Sequence, residues 1–443
     1  MFVDGWLARA AALRPEHPAL QTPTGSWSYA RLHAVARSGA GELENRGAGR
    51  GARVAIALPS GLGFAQALHS CLLLGAVAVP IDLRLSPEER AAITVGCDVL
   101  VEEPLDDERD YSEAKPVRHD LDSTAVVIHT SGTTSAPRPV ELTYGNLLWS
   151  ALGSAVALGC EPGDRWLCAL PLSHVGGLSI LMRSAIYSTT AVLHERFQTD
   201  LVLHSLEHED VTLVSLVATT LARLLDAGLS HPSALRCALT GGGPVSPALI
   251  ERAHAAGVSV SLTYGLTECC SQVTTTPLAA VGERASVAGP CLFCTRVRIG
   301  ADDEILVRGP TVAPRAPAAD GWLHTGDLGS LDEQGRLRVT GRKADTIVSG
   351  GENVAPAEVE AVLEAHPLVL EAAVRGVPDA EWGEMVSAIV VPRAGAELEP
   401  SQLRAHCAGM LARFKVPKQF VLSAEPLPRT RSGKLLRREL PSL

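Results

Sequence analysis

The chain has 443 residues, 46% of them apolar, and a formal net charge of −10 at pH 7. That length exceeds one ordinary core, so two or more domains are expected, and the apolar share excludes a disordered chain. A nucleic-acid binder shows a basic surplus or stripe; neither is present, so no nucleic-acid partner is expected and anionic ligands must be attracted by local groups.

In chain order, "MFVDGWLARAAALRPEHPAL" reads as a helix ending near Pro15. It lacks the basic start and apolar core of a signal peptide. The longest apolar stretch, 71–82, is too short to span a bilayer. A cytoplasmic protein without a membrane span is expected. "RVAIAL" (53–58) predicts a strand and 61–75 a helix. "AVVIHT" (125–130) and "ALRCALT" (234–240) predict strands. Ser246 as N-cap, Pro247 as first residue and Gly257 as terminator frame a helix, and "VSVSLTYG" (258–265) follows as a strand. This alternation predicts an α/β architecture of helix-covered, mostly parallel sheets. Near residue 300 the texture changes to short strands and tight turns, with a hairpin turn at 332–335, a small β-barrel-like part. After Arg342 come a helix at 356–366, strands near 369–376 and 385–392, and a helix near 400–412. The expected organisation is a large N-terminal domain, 1–342, followed by a small mobile α+β domain, 343–443.

Ten cysteines are scattered. Cys291 and Cys294 form a CxxC without a second pair at zinc-site spacing, so ordinary buried thiols are expected there and at Cys269 and Cys270. The chain uses 34 Arg and only 5 Lys, so a Lys here is the more conspicuous choice.

Five segments carry chemistry. Thr130, Ser131, Gly132, Thr133 and Thr134 follow a strand and offer hydroxyls and backbone N–H groups to phosphate oxygens, although such a cluster is also an ordinary polar turn. No GK[ST] follows, so it is not a Walker A loop. In "TGGGPV", Gly241, Gly242, Gly243 and Pro244 let a planar group lie on the backbone, or simply make a strand-to-helix turn. "YGLTECCSQVT" supplies Tyr264 and Gly265 for stacking on a base, Thr267 for a phosphate oxygen and Glu268 for Mg²⁺. Asp327 of "TGD" can accept from ribose hydroxyls, with Arg342 opposite. Lys434 of "PRTRSGKLLRREL" can follow charge on a transferring phosphoryl group, where the alternative is a solvated basic tail.

In this order, "TSGTTSAPRPV", "YGLTE", "HTGD", "GRKAD" and "PRTRSGK" resemble the motifs of the acyl-adenylate-forming (AMP-binding) superfamily. The resemblance runs from about residue 5 to 440. It implies ATP, Mg²⁺ and coenzyme A, with two half-reactions. A carboxylate attacks the α-phosphorus of MgATP, giving an acyl-adenylate and pyrophosphate; the C-terminal domain then rotates and the coenzyme A thiol displaces AMP. It implies that 130–134 and Arg138 hold the β- and γ-phosphates, that Lys434 serves the first step, and that Gly350 and Gly351 line the thiol channel. The chain departs from the pattern at Ser135, Arg138 and Pro139, where Gly, Lys and Gly are usual, and at the hinge, where Ala344 stands for Asp or Lys.

"PLSHVGGLSILMRSAIYSTTAVL" and "YGLTECCSQV" resemble the o-succinylbenzoate–CoA ligases of menaquinone biosynthesis. That substrate is a dicarboxylate, and Arg183, in an otherwise apolar helix, is the candidate partner for the carboxylate that is not activated; a structural ion pair is the alternative. The same resemblance puts His174 near the acyl pocket, and Ser271 and Gln272 could line the aryl site. Rival readings are a CoA ligase for another aryl or short-chain acid, an adenylation enzyme loading a carrier protein, and a catalytically silent nucleotide-binding regulator. Oligomeric state is not read from the sequence, a homodimer being compatible with it.

Overall fold

The computed structural model describes residues 1–106, 118–130, 138–278, 287–379, 382–429 and 435–441. Four sheets carry the architecture. In the first, strands Val99–Val101, Arg53–Ile56, Val77–Pro80 and Thr124–Thr130 run parallel in that order, and Arg138–Thr143 closes the edge antiparallel. The second is eight-stranded, ordered Ser271–Thr275, Val260–Leu266, Cys237–Thr240, Leu213–Leu216, Arg165–Cys168, Thr190–Leu193, Pro18–Thr22, Gly25–Ser28. Its inner strands are parallel and both edges antiparallel. Val77–Pro80, Leu213–Leu216 and Cys237–Thr240 are buried at every position. Strands covered by helices on both faces need such continuous burial rather than alternation.

The helices begin and end on local chemistry. Leu62–Leu74 stops at Gly75, which takes the left-handed conformation at φ 68°. Tyr144–Leu158 starts with a reciprocal cap between Thr143 and Asn146. Asn146 Nδ2 also donates to the carbonyls of Pro310 (2.8 Å) and Val312 (3.1 Å), tying this helix start to the third sheet's surroundings.

The third sheet is antiparallel: Arg296–Ile299, Glu304–Arg308, Leu323–Leu331, Leu337–Arg342. Its own core contains Ile305, Val307, Leu323 and Leu337, joined by Cys269 and Val273. The turn Lys343–Asp345 leads to the fourth sheet, built from Glu352–Val354, Ile347–Ser349, Gly383–Pro392 and Val369–Asp379, with Gln419–Leu422 parallel to Gly383–Pro392. Helices Pro356–Glu364 and Pro400–Met410 cover it around Val359, Val374, Val386 and Leu403. The proposed division into 1–342 and 343–443 falls at that turn, with separate apolar cores on its two sides.

The α/β class and the short antiparallel strands of the third sheet agree with the reading of the sequence; that sheet is four-stranded, with Arg296–Ile299 and Leu337–Arg342 at its edges, and not the barrel-like part expected. That reading missed the hairpin Pro18–Thr22/Gly25–Ser28, which caps one edge of the second sheet. It also did not foresee that strand Thr124–Thr130 folds back antiparallel on Arg138–Thr143, with Thr130 opposite Arg138. Thr130 and Arg138, which flank the candidate phosphate loop, are therefore paired across two neighbouring strands. Pro139 sits in the outermost strand of its sheet, where a missing N–H is tolerated.

Candidate active site

In open parallel sheets, ligands bind beyond the carboxyl ends of the strands. The candidate residues collect there. Thr130 ends Thr124–Thr130, Gly241 follows Cys237–Thr240, and Tyr264 lies near the end of Val260–Leu266. His174 follows Arg165–Cys168 by a short turn.

The most completely built part is around Asp327. Strand pairing sets Asp327 opposite Arg342, and Arg342 Nε lies 2.6 Å from Asp327 Oδ1. Tyr264 Oη donates to Asp327 Oδ2 at 2.7 Å. The Asp327 N–H donates to Thr325 Oγ1 (3.1 Å), whose hydroxyl donates to the Ile305 carbonyl (2.7 Å). Asp327 is only 5% exposed. Burial, then the Asp327 charge, pushes the Tyr264 phenol up, so it stays a donor. A carboxylate can accept at both of its oxygens, which suits a vicinal diol. Tyr264 thereby serves Asp327 through its hydroxyl; stacking of its ring on a base remains a proposal.

Gly241 lies against Thr263, where an added Cβ would come within 2.7 Å of the carbonyl oxygen. Gly242 takes φ 78°, and Gly243 and Pro244 are exposed beside it. Gly265 is tighter still: an added Cβ would fall 1.6 Å from the Ser271 carbonyl oxygen, so only glycine lets this edge hairpin close. Between them runs the turn Thr267–Cys269 with Glu268 half-buried, followed by Cys270 and Ser271 at φ 53° and 98°. Strained non-glycine residues of this kind gather at functional sites. The Glu268 carbonyl accepts from the Ala313 N–H at 2.7 Å, and strand Arg138–Thr143 packs on this turn. The hairpin that carries Thr130 and Arg138 is thus beside Glu268. Thr130 Oγ1 donates to the Arg138 carbonyl at 3.4 Å. Ser131, Gly132, Thr133, Thr134 and Ser135 lie outside the described residues, as does Lys434.

Cys269 and Cys270 are fully buried, and burial pushes the Cys270 thiol up to about 12. Their side chains enter two different cores. Gln272 is buried, donates to Thr275 Oγ1 at 2.8 Å and leaves its Oε1 without a donor among the described residues; Ser271 is half-buried beside it.

Arg183 lies on helix Val175–Tyr187 and is 2% exposed. Its guanidinium sits over the Trp166 ring, 5.3 Å from the centroid. Nε and Nη2 have no hydrogen-bond acceptor among the described residues. Burial lowers its pKa, and the Tyr187 and Cys270 groups raise it only in part. The structural ion pair weighed as the alternative is not formed among the described residues. His174, the N-cap of the same helix, is 42% exposed at its side chain, and its Nε2 lies 3.1 Å from Arg84 Nη2.

Near the division between the two units, Gly350 and Gly351 turn the hairpin Ile347–Ser349/Glu352–Val354 with φ 60° and 84°, and the Gly350 N–H donates to the Trp382 carbonyl at 2.8 Å. Ala344 lies between Lys343, 3.3 Å from Asp302, and Asp345, 3.2 Å from Arg437 Nε.

The profile of the AMP-binding enzymes matches residues 7–101 and 95–315, and that of the AMP-binding enzyme C-terminal domain matches 358–434. The chain belongs to the AMP-binding enzyme family. A 2-succinylbenzoate–CoA ligase of Bacillus subtilis is 38% identical over 98% of this chain and 97% of its own length. A solved o-succinylbenzoate CoA synthetase of the same organism, in complex with its acyl-adenylate intermediate, superposes with a TM-score of 0.90 at 37% identity, covering 100% of this chain and 99% of that one. Its complex with ATP and magnesium gives 0.89 at 37% identity, over 99% and 100% of the two chains.

Within this AMP-binding enzyme, the motif reading singled out Asp327, Arg342 and Tyr264, which the fold brings together, and Arg183, which it buries. It missed Asp82 and Arg84, which contact His174, and Trp166 beneath Arg183. Nothing local marks these three; they become neighbours only when the sheets assemble. No helix among the described residues is long and apolar enough to cross a membrane.

Proposed function

We propose that this AMP-binding enzyme is an AMP-forming acid–CoA ligase that converts o-succinylbenzoate to o-succinylbenzoyl-CoA in menaquinone biosynthesis. The observation that carries the choice of acid is Arg183. An ionised guanidinium buried without an acceptor is costly, and a second substrate carboxylate would repay that cost with a charge-assisted, bidentate pair. Full-length likeness to the 2-succinylbenzoate–CoA ligases supports the same reading.

In the first step an oxygen of the other carboxylate bonds to the α-phosphorus of ATP, and the bond from that phosphorus to pyrophosphate breaks. In the second the coenzyme A thiol loses its proton, its sulfur bonds to the acyl carbon, and the bond to AMP breaks. Asp327, with Arg342 and Tyr264 behind it, would hold the ribose. Thr130, Arg138, Thr267 and the 131–134 segment would hold phosphates, and Gly241, Gly242 and Gly243 would leave room for the base. Lys434 would follow the charge on the transferring group. Gly350 and Gly351 would line the thiol path, and Ser271 and Gln272 would flank the aryl ring.

No group of three His, Cys, Asp or Glu suited to a metal occurs among the described residues. The single carboxylate of Glu268 fits Mg²⁺, which takes few protein ligands and shares phosphate oxygens. When bound, Mg²⁺ neutralises phosphate charge. All ten cysteines are free thiols, which supports a reducing, cytoplasmic location.

The test is pyrophosphate release with MgATP and o-succinylbenzoate, benzoate, a medium-chain fatty acid or an amino acid, each with and without coenzyme A. Turnover confined to o-succinylbenzoate, with a CoA thioester as product, is expected. Preference for a monocarboxylate would overturn the choice of acid.

A further inference from the structure

Three polar side chains meet where the two large sheets come together. Strand Val77–Pro80 of the first sheet ends, Ile81 is buried, and Asp82 follows. Asp82 Oδ1 accepts from the Arg84 backbone N–H (3.0 Å) and from Arg84 Nε (2.7 Å). Arg84 Nη2 lies 2.5 Å from Asp82 Oδ2, completing a two-pronged pair. The same Nη2 reaches His174 Nε2 at 3.1 Å, while Asp82 Oδ2 stands 3.5 Å from that nitrogen. Burial pushes the Asp82 carboxyl up, but the side-chain and backbone hydrogen bonds from Arg84 outweigh it and hold it well below the usual carboxylate range.

The His174 backbone is fixed separately. Its N–H donates to the Pro171 carbonyl at 3.1 Å, and its carbonyl accepts from the N–H groups of Gly177 (3.1 Å) and Leu178 (3.0 Å). The ring alone is left to be oriented, and Arg84 is its hydrogen-bond partner. Arg84 can only donate, so a neutral ring must present the Nε2 lone pair to it and carry its proton on Nδ1. Nδ1 has no partner among the described residues, and the side chain is 42% exposed. Arg84 also stands beside the start of helix Val175–Tyr187, where the helix dipole repels a cation. Asp82 neutralises that charge and locks the guanidinium plane.

We propose that Asp82 and Arg84 are positioning residues that set the ring orientation and tautomer of His174, making Nδ1–H its free donor. The functional half of this inference rests on the acid–CoA ligase reading, in which His174 borders the acyl site. The structural half does not.

The test has two arms. Protein labelled with ¹⁵N-histidine is examined by NMR without substrate, the His174 signals being assigned by their loss in His174→Ala. A protonated Nδ1 and unprotonated Nε2 are expected at a pH where the ring is neutral, shifting to the opposite tautomer in Arg84→Met. The opposite tautomer in the unmutated protein would overturn the proposal whatever the acid substrate proves to be. In the kinetic arm, Arg84→Met and Asp82→Asn each lower kcat for pyrophosphate release about 10-fold with KM for ATP unchanged, the scale of one lost hydrogen bond from a positioned donor. Arg84→Met adds nothing on top of His174→Ala, because both remove the same device. Arg84→Lys, which keeps a donor but not the fork, recovers part of the rate. Additive losses in the double variant would show that Arg84 acts independently of His174 and sink the coupling. Melting temperatures of all variants separate these effects from a loss of fold.

Discussion

The Asp327 site and the Arg183 site handle buried charge in opposite ways. Asp327 has a cation 2.6 Å away on one oxygen and a phenol 2.7 Å away on the other before any ligand arrives. Arg183 is equally buried, yet two of its nitrogens have no acceptor among the described residues and an aromatic face lies beneath it. The first arrangement is pre-organised and contributes to the fold. The second costs the fold something, a cost that the proposed substrate carboxylate would relieve. In the proposed function, the nucleotide common to a whole family would be met by a finished site, whereas the choice of acid would be made by Arg183.

Opposite responses to substitution would sharpen this contrast. Lys434→Ala belongs to neither site and sets the upper limit: pyrophosphate release falls about 10³-fold, the scale of a lost transition-state contact, while pre-made acyl-adenylate still reacts with coenzyme A. Normal pyrophosphate release would remove Lys434 from the first step. Asp327→Ala raises KM for ATP about 10²-fold and lowers the melting temperature by several degrees, because Arg342 and Tyr264 lose their acceptor.

Arg183→Met should do the reverse to stability. KM for the dicarboxylate rises about 10²-fold with KM for ATP unchanged, while the free protein melts at the same temperature or higher, since an unmatched buried cation has gone. Equal rises in both KM values, or a marked drop in melting temperature, would break the comparison. Tyr264→Phe removes one hydrogen bond to Asp327 and raises KM for ATP about 5-fold, a change of roughly 1 kcal/mol; steady-state kinetics at saturating acid reads it.

The smallest effect concerns a buried carboxyl. Burial, then the Glu360 charge, pushes Glu364 up to about 7 from 4.5. A raised carboxyl binds its proton more tightly when folded, so its contribution to stability is full below pH 4.5 and is lost as pH rises through about 7. Glu364→Gln should flatten that part of the melting-temperature profile and gain most over the unmutated protein at pH 8. An unchanged profile between pH 5 and 8 would exclude this titration, with roughly a degree or two at stake per kcal/mol in a chain of this size.

Much of this was legible in the linear chain. Ser246–Pro247 started a helix as written, Gly75 stopped one, and the segment after residue 300 became an antiparallel sheet. Arg183 stood out because a lone guanidinium in an apolar helix is rarely there without an anion. That two of its nitrogens meet no acceptor among the described residues could not be read, because an ion pair from any distant segment would look the same in sequence. Pro139 reads as a lost donor until its strand is seen to lie at a sheet edge. Asp82 and Arg84 sit in "IDLRLSPEE" with no motif to mark them, and they gain meaning only because His174 arrives from ninety residues away.

The sequence by itself determined the α/β class, the order of the family motifs and the residue types that chemistry on a nucleotide requires. These follow from periodicity, turn residues and short spacings, all of which act over a few neighbours. Only the tertiary structure decided which buried charges are matched. Asp327 meets Tyr264 across 63 residues, and Nε and Nη2 of Arg183 meet no acceptor among the described residues. Desolvation and pairing depend on what the rest of the chain packs against a group, and that is settled when the sheets assemble.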